Sequence, residues 1–204
     1  MPIYDANNTK IGEVVVRYDI TQKKQYEEMA ITDSLTQIYN RRHFNNIIEQ
    51  EINRANREKL ILCLIILDVD YFKKYNDTYG HIEGDNALKS VAKTLKDNLK
   101  RGSDYPFRLG GEEFGILFIS ENETKALEFA EDIRRSIEDL HIPHSSSEVT
   151  DHITASLGLV AIDFNEVTAD KDEFYRLADS ALYQAKENGR NQVFLHANDE
   201  MELF

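Results

Sequence analysis

Two pairs of carboxylates carry the chemistry that this chain advertises. Leu60 to Leu67 is an unbroken apolar run that ends in Asp68-Val69-Asp70, and Gly110-Gly111 is followed at once by Glu112-Glu113. A strand that terminates in acids puts negative charge at the end of a sheet, where a cation can reach it. Taken alone, the Asp-x-Asp reads more simply as the start of a solvated loop. The second acidic pair changes the balance, because a hairpin laid beside the first strand brings Glu112 close to Asp68. Oxygen donors from adjacent strands, with open positions, suit Mg²⁺ held jointly with substrate phosphates. Gly110-Gly111 supports two readings: a turn that needs positive φ, or a stretch of bare backbone against which a nucleotide can lie.

Positioning these acids takes a sheet with helices on its faces. Phe44 to Arg57 puts Phe44, Ile47, Ile48 and Ile52 on one helical face. Leu60 to Leu67 has the length and composition of a strand covered on both sides. Ala87 to Leu99 carries an apolar stripe of Leu88, Val91, Ala92, Leu95 and Leu99. Phe107 to Leu109 and Phe114 to Ile119 read as a hairpin around the diglycine. Thr124 to Leu140 is helical, with Leu127, Ala130, Ile133 and Ile137 inward, and Ser145 to Ser147 marks a loop. Ile153 to Ile162 is a strand, Phe174 to Asn188 a helix stopped by Gly189, and Gln192 to Leu195 a last strand. The central βαββαβ order predicts an α/β (α+β) fold of the ferredoxin-like, palm type, with antiparallel strands in a sheet flanked by helices.

Residues 1–20 differ from the rest. Ile11 to Tyr18 reads as a strand, joined through the turn-rich Asp5-Ala6-Asn7-Asn8 to a short Ile3-Tyr4 piece. Two strands bury no core alone, so they read as the tail of an upstream module. Residues 21–32 form helix-prone sequence about three turns long, marginal in isolation, and read as a connector, one segment of a dimeric coiled coil.

Composition bounds the function. The 204 residues, 41% hydrophobic, suit one compact domain with an attachment, and nine Gly and three Pro are too few for low-complexity sequence. No run approaches the roughly 18 apolar residues of a membrane span. The N-terminus lacks the basic and apolar regions of a signal peptide, and one cysteine, Cys63, fits a reducing compartment. The expectation is a cytoplasmic fragment without a membrane contact of its own. A net charge of −13, from 37 acidic against 24 basic residues, works against binding a nucleic acid polymer. A small phosphate ligand fits such a site only with divalent metal and a few placed Lys or Arg.

Four motifs, in order, resemble those of GGDEF domains, the diguanylate cyclases. Arg108-Leu-Gly-Gly-Glu112-Glu113-Phe114 is similar to the family signature in its GGEEF variant. Asp33-Ser-Leu-Thr-Gln-Ile-Tyr-Asn40-Arg41-Arg42 resembles the opening motif. Asp68-Val-Asp-Tyr-Phe72-Lys73-Lys-Tyr-Asn76 through Gly80-His81-Ile-Glu-Gly84-Asp85 resembles the metal and guanine segment. Ala178-Asp179 through Lys186-Glu-Asn-Gly-Arg190-Asn191 resembles the closing motif. The likeness covers about residues 33–196 and implies a domain over 33–204. The Asp19-Ile20-Thr21 triplet resembles the end of a PAS sensor, which implies a PAS remnant over 1–20 and a signalling helix over 21–32.

The resemblance implies the joining of two GTP into cyclic di-GMP with release of pyrophosphate, each 3′-hydroxyl attacking the other's α-phosphorus. It implies two Mg²⁺, with Mn²⁺ as a substitute, on Asp68, Glu112 and the Val69 carbonyl. Glu112 would assist deprotonation, with Glu113 as its support; Asp70 is a weaker ligand candidate. Asn76 and Asp85 would read guanine, with His81 lining the base pocket. An ionised Asp accepts from guanine N–H groups, while an amide both donates and accepts. Lys73, Lys186 and Arg190 would contact phosphates, and Phe72 would pack against the nucleotide.

Each residue also has a plainer role. Asp85 could cap the Ala87 to Leu99 helix, His81 could be structural, Phe72 could be core, and Lys186 and Arg190 could complement a helix C-terminus. Arg101-Gly-Ser-Asp104 resembles the family's R-x-x-D inhibitory product site, against a polar turn with a local Arg–Asp pair. There the chain departs from the pattern: Glu128 and Asp132 stand where relatives often add arginine, and Arg134 and Arg135 are doubtful substitutes. Weaker inhibition, or a different dimer, would follow. One site per domain implies a homodimer for catalysis. The alternatives are a silent module that senses GTP or cyclic di-GMP, and a palm-type polymerase or nucleotide cyclase. His141 and His144 lack acidic or Cys neighbours for zinc, and Cys63 reads as core.

Overall fold

The computed structural model describes residues 2–13, 30–167 and 169–196. The chain forms two units, residues 1–30 and 31–204. In the first, β1 (Pro2–Tyr4) pairs antiparallel with β2 (Lys10–Glu13). The Asp5 carboxylate closes their turn by accepting from the Asn7 and Thr9 amides at 2.8 Å each, with Asn8 at φ +63°. The strand expected to Tyr18 is seen as far as Glu13. Its remainder, and residues 21–29 of the expected connector helix, lie outside the described residues.

The second unit is built on a six-stranded mixed sheet in the order β3-β5-β6-β4-β7-β8. The strands are β3 (Tyr39–Asn40), β4 (Ile61–Val69), β5 (Tyr105–Gly110), β6 (Glu113–Ser120), β7 (Ala155–Asp163) and β8 (Val193–Leu195). β4 is central, antiparallel to both β6 and β7, while β3 and β8 pair in parallel at the two edges. The four inner strands thus have the split βαβ arrangement expected from the sequence, and the mixed α/β class holds.

The apolar run of β4 serves two cores. Cys63, Ile65, Leu67 and Val69 face one cluster, filled by α3 (His81–Asn98) through Leu88, Val91 and Leu95 and by α4 (Glu123–Glu138) through Ala130 and Ile133. Leu62, Leu64 and Ile66 face the other, filled by α1 (Arg41–Glu58) through Phe44 and Ile48 and by α5 (Lys171–Glu187) through Phe174 and Leu177. This period-two alternation explains why the strand shows no polar face of its own. Cys63 is fully buried in the first core, and burial pushes its thiol up.

Three elements differ from expectation. Helix α2 (Phe72–Tyr79) follows β4 after a short turn, and α3 begins at His81, six residues earlier than its apolar stripe suggests. Gly80, at φ +86°, makes the sharp bend between them. Asp85 therefore sits in the second turn of α3 and does not cap it; the cap position is Gly80, with no side-chain bond. β3, two residues long, is too short for any periodic signal.

Candidate active site

The register of the sheet brings the two acidic pairs together. Asp68 lies directly opposite Glu113 across β4 and β6, and the Val69 amide donates to the Glu112 carbonyl at 3.4 Å. The β5–β6 turn is Gly111-Glu112, with Gly111 at φ +46°, a conformation that strains any residue with a side chain. A Cβ at Gly110 or Gly111 would meet nothing within 4 Å, so the strip beside the acids is open.

Burial, and to a lesser degree like charge, acts on Asp68. Burial pushes its carboxyl up to about 6; Glu112 and Glu113 add to the rise, and Lys186 opposes it from 2.9 Å. Lys186, from the last turn of α5, thus rests on the carboxylate at the centre of the acidic cluster. Carboxylates gathered at one sheet end are the hard oxygen donors that a divalent cation favours, although among the described residues no group of three or more His, Cys, Asp or Glu side chains is placed to hold a metal ion. Asp70 has a different place. It is 1% exposed and accepts from the Thr154 hydroxyl at 2.8 Å, the Ser156 hydroxyl at 2.6 Å and the Asn191 amide at 3.1 Å. Those donors tie the loop after β4 to β7 and to the closing motif, so Asp70 is framework, not a free ligand.

Helix α2 starts beside the acids. Its N-cap position is Tyr71, in left-handed conformation at φ +54°, and no side chain caps the first turn. Open amides at a helix N-terminus favour anions, and Lys73 stands exposed in that turn. Farther along α2, the Asn76 amide oxygen is buried with no hydrogen-bond partner among the described residues. A Cβ at Gly84 would lie 1.9 Å from it, so glycine there is what leaves room for the Asn76 amide between α2 and α3. An orphaned acceptor of this kind fits a bound donor. Asp85 and His81 are exposed on the same stretch of α3, while Phe72 is 6% exposed and stacks on Tyr75 within the core.

Lys186 and Arg190 are not a helical pair. α5 ends at Glu187, Gly189 turns at φ +109°, and Arg190 follows at φ +66°, its amide donating to the Ala185 carbonyl at 3.0 Å. Arg190 lies over the Tyr71 ring instead, 4.6 Å from its centroid. Sequence reasoning missed Tyr71 and its neighbours, Lys74 and Glu148, because no local spacing links residue 71 to residues 148 and 190.

The R-x-x-D segment is an open turn away from these residues. The Arg101 side chain donates to the Ile119 carbonyl at 3.2 Å; among the described residues it makes no side-chain pair with Asp104, whose carboxylate accepts from the Arg101 main-chain amide at 3.3 Å. The other Asp104 oxygen is buried with no partner among the described residues, and burial raises its carboxyl. A pocket of about 320 Å³ lies here, with Lys100, Lys125 and Asp132 on its walls. Arg134 is engaged elsewhere, by Glu131, Glu138 and Asn191, and cannot supply the missing arginine.

The split βαβ sheet, the diglycine turn and the paired acids beside an uncapped helix define a GGDEF-type domain. A family model, "Diguanylate cyclase, GGDEF domain", matches residues 30–192. This chain belongs to that family. The diguanylate cyclase DosC of Escherichia coli K12 is 42% identical over 193 residues, which are 95% of this chain and 41% of the relative. The probable diguanylate cyclase DgcT of the same strain is 40% identical over 167 residues, 82% of this chain and 36% of that protein. The chain therefore spans about two fifths of the length of these relatives. Among solved structures, the coiled coil and GGDEF domain of Caulobacter crescentus DgcB, in complex with c-di-GMP, superposes with a TM-score of 0.76 at 29% identity, over 85% of this chain and 90% of that one. The active GGEEF domain of a Vibrio cholerae diguanylate cyclase gives 0.68 at 32%, over 80% and 100%. Among the described residues, no helix is long and apolar enough to cross a membrane.

Proposed function

We propose that this domain condenses two GTP into cyclic di-GMP. The observation that carries the reading is the gathering of Asp68, Glu112 and Glu113 at one sheet end, followed by the helix whose buried Asn76 oxygen has no hydrogen-bond partner among the described residues. Asp68, Glu112 and the Val69 carbonyl would hold two Mg²⁺, or Mn²⁺, which when bound supply Lewis-acid stabilisation of charge on the phosphates. Asn76 and Asp85 orient guanine, the amide both donating and accepting and the carboxylate only accepting. Lys73, Lys186 and Arg190 bind the triphosphate. Glu112, supported by Glu113, takes the proton from the 3′-hydroxyl.

One domain carries one such site, so the reaction needs a homodimer with two sites face to face. Residues 1–20 serve as the end of a PAS-like sensor and 21–32 as the helix that sets the facing geometry. Product binds at Arg101 and Asp104 and slows the enzyme, less firmly than in relatives with a second arginine, since Asp132 lines the pocket instead. The domain acts in the cytoplasm.

Incubation with GTP and Mg²⁺, followed by chromatography of the products, tests this. Cyclic di-GMP and pyrophosphate are expected. GTP left unchanged at high protein concentration would leave a sensor module, and cyclic GMP or polymer would point to a different palm chemistry.

A further inference from the structure

We propose that Tyr71 is a positioning residue for the triphosphate: its ring is the seat on which Arg190 is held over the mouth of the site. This rests on the functional reading above, in which Arg190 meets phosphate. Arg190 lies beyond the end of α5, in left-handed backbone, so helix geometry does not aim it. Its guanidinium donates to the Lys186 carbonyl at 3.3 Å and stands 4.6 Å from the Tyr71 centroid, within cation–π range. Guanidinium over an aromatic face keeps its edge donors free for a bidentate anion.

Tyr71 is itself fixed from several sides. Its hydroxyl donates to Glu148 at 3.1 Å, and Glu148 is ion-paired with Lys74, whose ammonium also lies 4.6 Å from the Tyr71 ring. Its carbonyl accepts from His144 Nε2 at 3.3 Å, and His144 is buried against Tyr75. Hydrogen bonds from Lys74 and Tyr71, with the charges of Lys74 and Arg190, hold the Glu148 carboxyl below its ordinary value. The ring thus stands at the centre of two cations and a carboxylate, at the residue that caps α2. A side chain without a π face at position 71 leaves Arg190 to sample other rotamers, and ordering it then falls to the substrate.

Calorimetry with a non-hydrolysable GTP analogue and Mg²⁺ tests the proposal in a double-mutant cycle of Tyr71→Leu and Arg190→Ala. Tyr71→Leu is expected to weaken binding about three- to tenfold in the wild-type background and to have no further effect beside Arg190→Ala. Tyr71→Phe, which keeps the ring and loses only the Glu148 bond, is expected to restore most of the affinity. Tyr71→Gln carries the same cycle if the Leu variant does not fold. Equal losses in both backgrounds, or no loss in either, would overturn the proposal. Tight binding by Arg190→Ala would also overturn it, while leaving the cyclase assay to judge the wider reading. A wild-type chain that binds no analogue would remove that reading and this one together.

Discussion

The Arg108 guanidinium joins Asp33 to the diglycine turn. One arm donates to the Asp33 carboxylate at 3.1 Å, and the other two nitrogens donate to the Gly111 carbonyl at 3.0 and 2.8 Å. Asp33 also accepts from the Thr36 amide and hydroxyl, so it is the knot of the turn that opens the domain. Burial alone would raise its carboxyl, but the Thr36 and Arg108 bonds outweigh that and hold it below the ordinary value. The turn that opens the domain is therefore bonded directly to the turn that carries Glu112.

Replacing Arg108 by Met is expected to lower stability by about 2–3 kcal/mol, the worth of charge-assisted bonds that are mostly shielded from solvent. Lys cannot restore the two-ended fork. Turnover should fall by about a hundredfold, since a turn displaced by an ångström misplaces Glu112. Denaturant midpoints and initial rates check both, and full activity in the Met variant would show that the turn holds its shape without the fork.

Asp68 gives a pH dependence whose sign follows from its raised value. Between its ordinary 3.8 and about 6, the folded chain binds more protons than the unfolded one. Stability contributed through this group therefore falls as pH rises across that window, by about 3 kcal/mol at most, and is level above it. Asp68→Asn removes the charge, so the variant should be more stable than wild type at pH 7, with the gap closing as pH falls from about 6 to 3.8. A gap that is constant with pH would mean that Asp68 is not desolvated as the structure has it.

Much of this was legible in the sequence because it was local or periodic. The β4 run, the α1, α3, α4 and α5 stripes and the diglycine hairpin each have a pattern that burial dictates. The diglycine hairpin is a local rule, whereas the β4–β6 pairing that sets Asp68 opposite Glu113 is long-range and followed only from the split βαβ order. Helix α2 was hidden: only Phe72 and Tyr75 of its eight residues are buried, too few to show a stripe. The bonding of Asp70 was illegible because its donors, Thr154, Ser156 and Asn191, come from more than eighty residues away. The Arg190–Tyr71 seat was illegible for the same reason.

Gly84→Ala sets helix propensity against a collision. In an exposed helix the change should stabilise by about 1 kcal/mol. Here the new methyl would lie 1.9 Å from the Asn76 amide oxygen and 3.3 Å from Phe72. The amide must swing away, so KM for GTP should rise about tenfold or more, while the melting temperature changes little. An unchanged KM would mean that Asn76 does not read the base.

At the R-x-x-D pocket, Arg101→Ala is expected to raise the cyclic di-GMP concentration for half inhibition at least tenfold, an arginine–phosphate contact being strong. Progress curves compared at matched initial rates should stay linear for longer than in wild type. If added product slows both proteins alike, the segment is an ordinary turn and the buried Asp104 oxygen has another partner.

Glu112→Gln separates chemistry from structure most cleanly. The carboxylate makes no ion pair among the described residues, and its main-chain carbonyl, which the Val69 amide uses, is untouched by the change. Gln has nearly the same shape, so packing is kept, and one negative charge is withdrawn from beside Asp68, whose carboxyl should move back toward its ordinary value. The melting temperature should therefore hold or rise slightly. Turnover should vanish, because an amide neither takes a proton nor offers a hard cation a charged oxygen. Loss of both activity and stability would assign Glu112 to the scaffold. Persistent turnover in a folded variant would move the proton acceptor and the cation to other residues, with Glu113 the first to examine, since it faces Asp68 directly across the sheet.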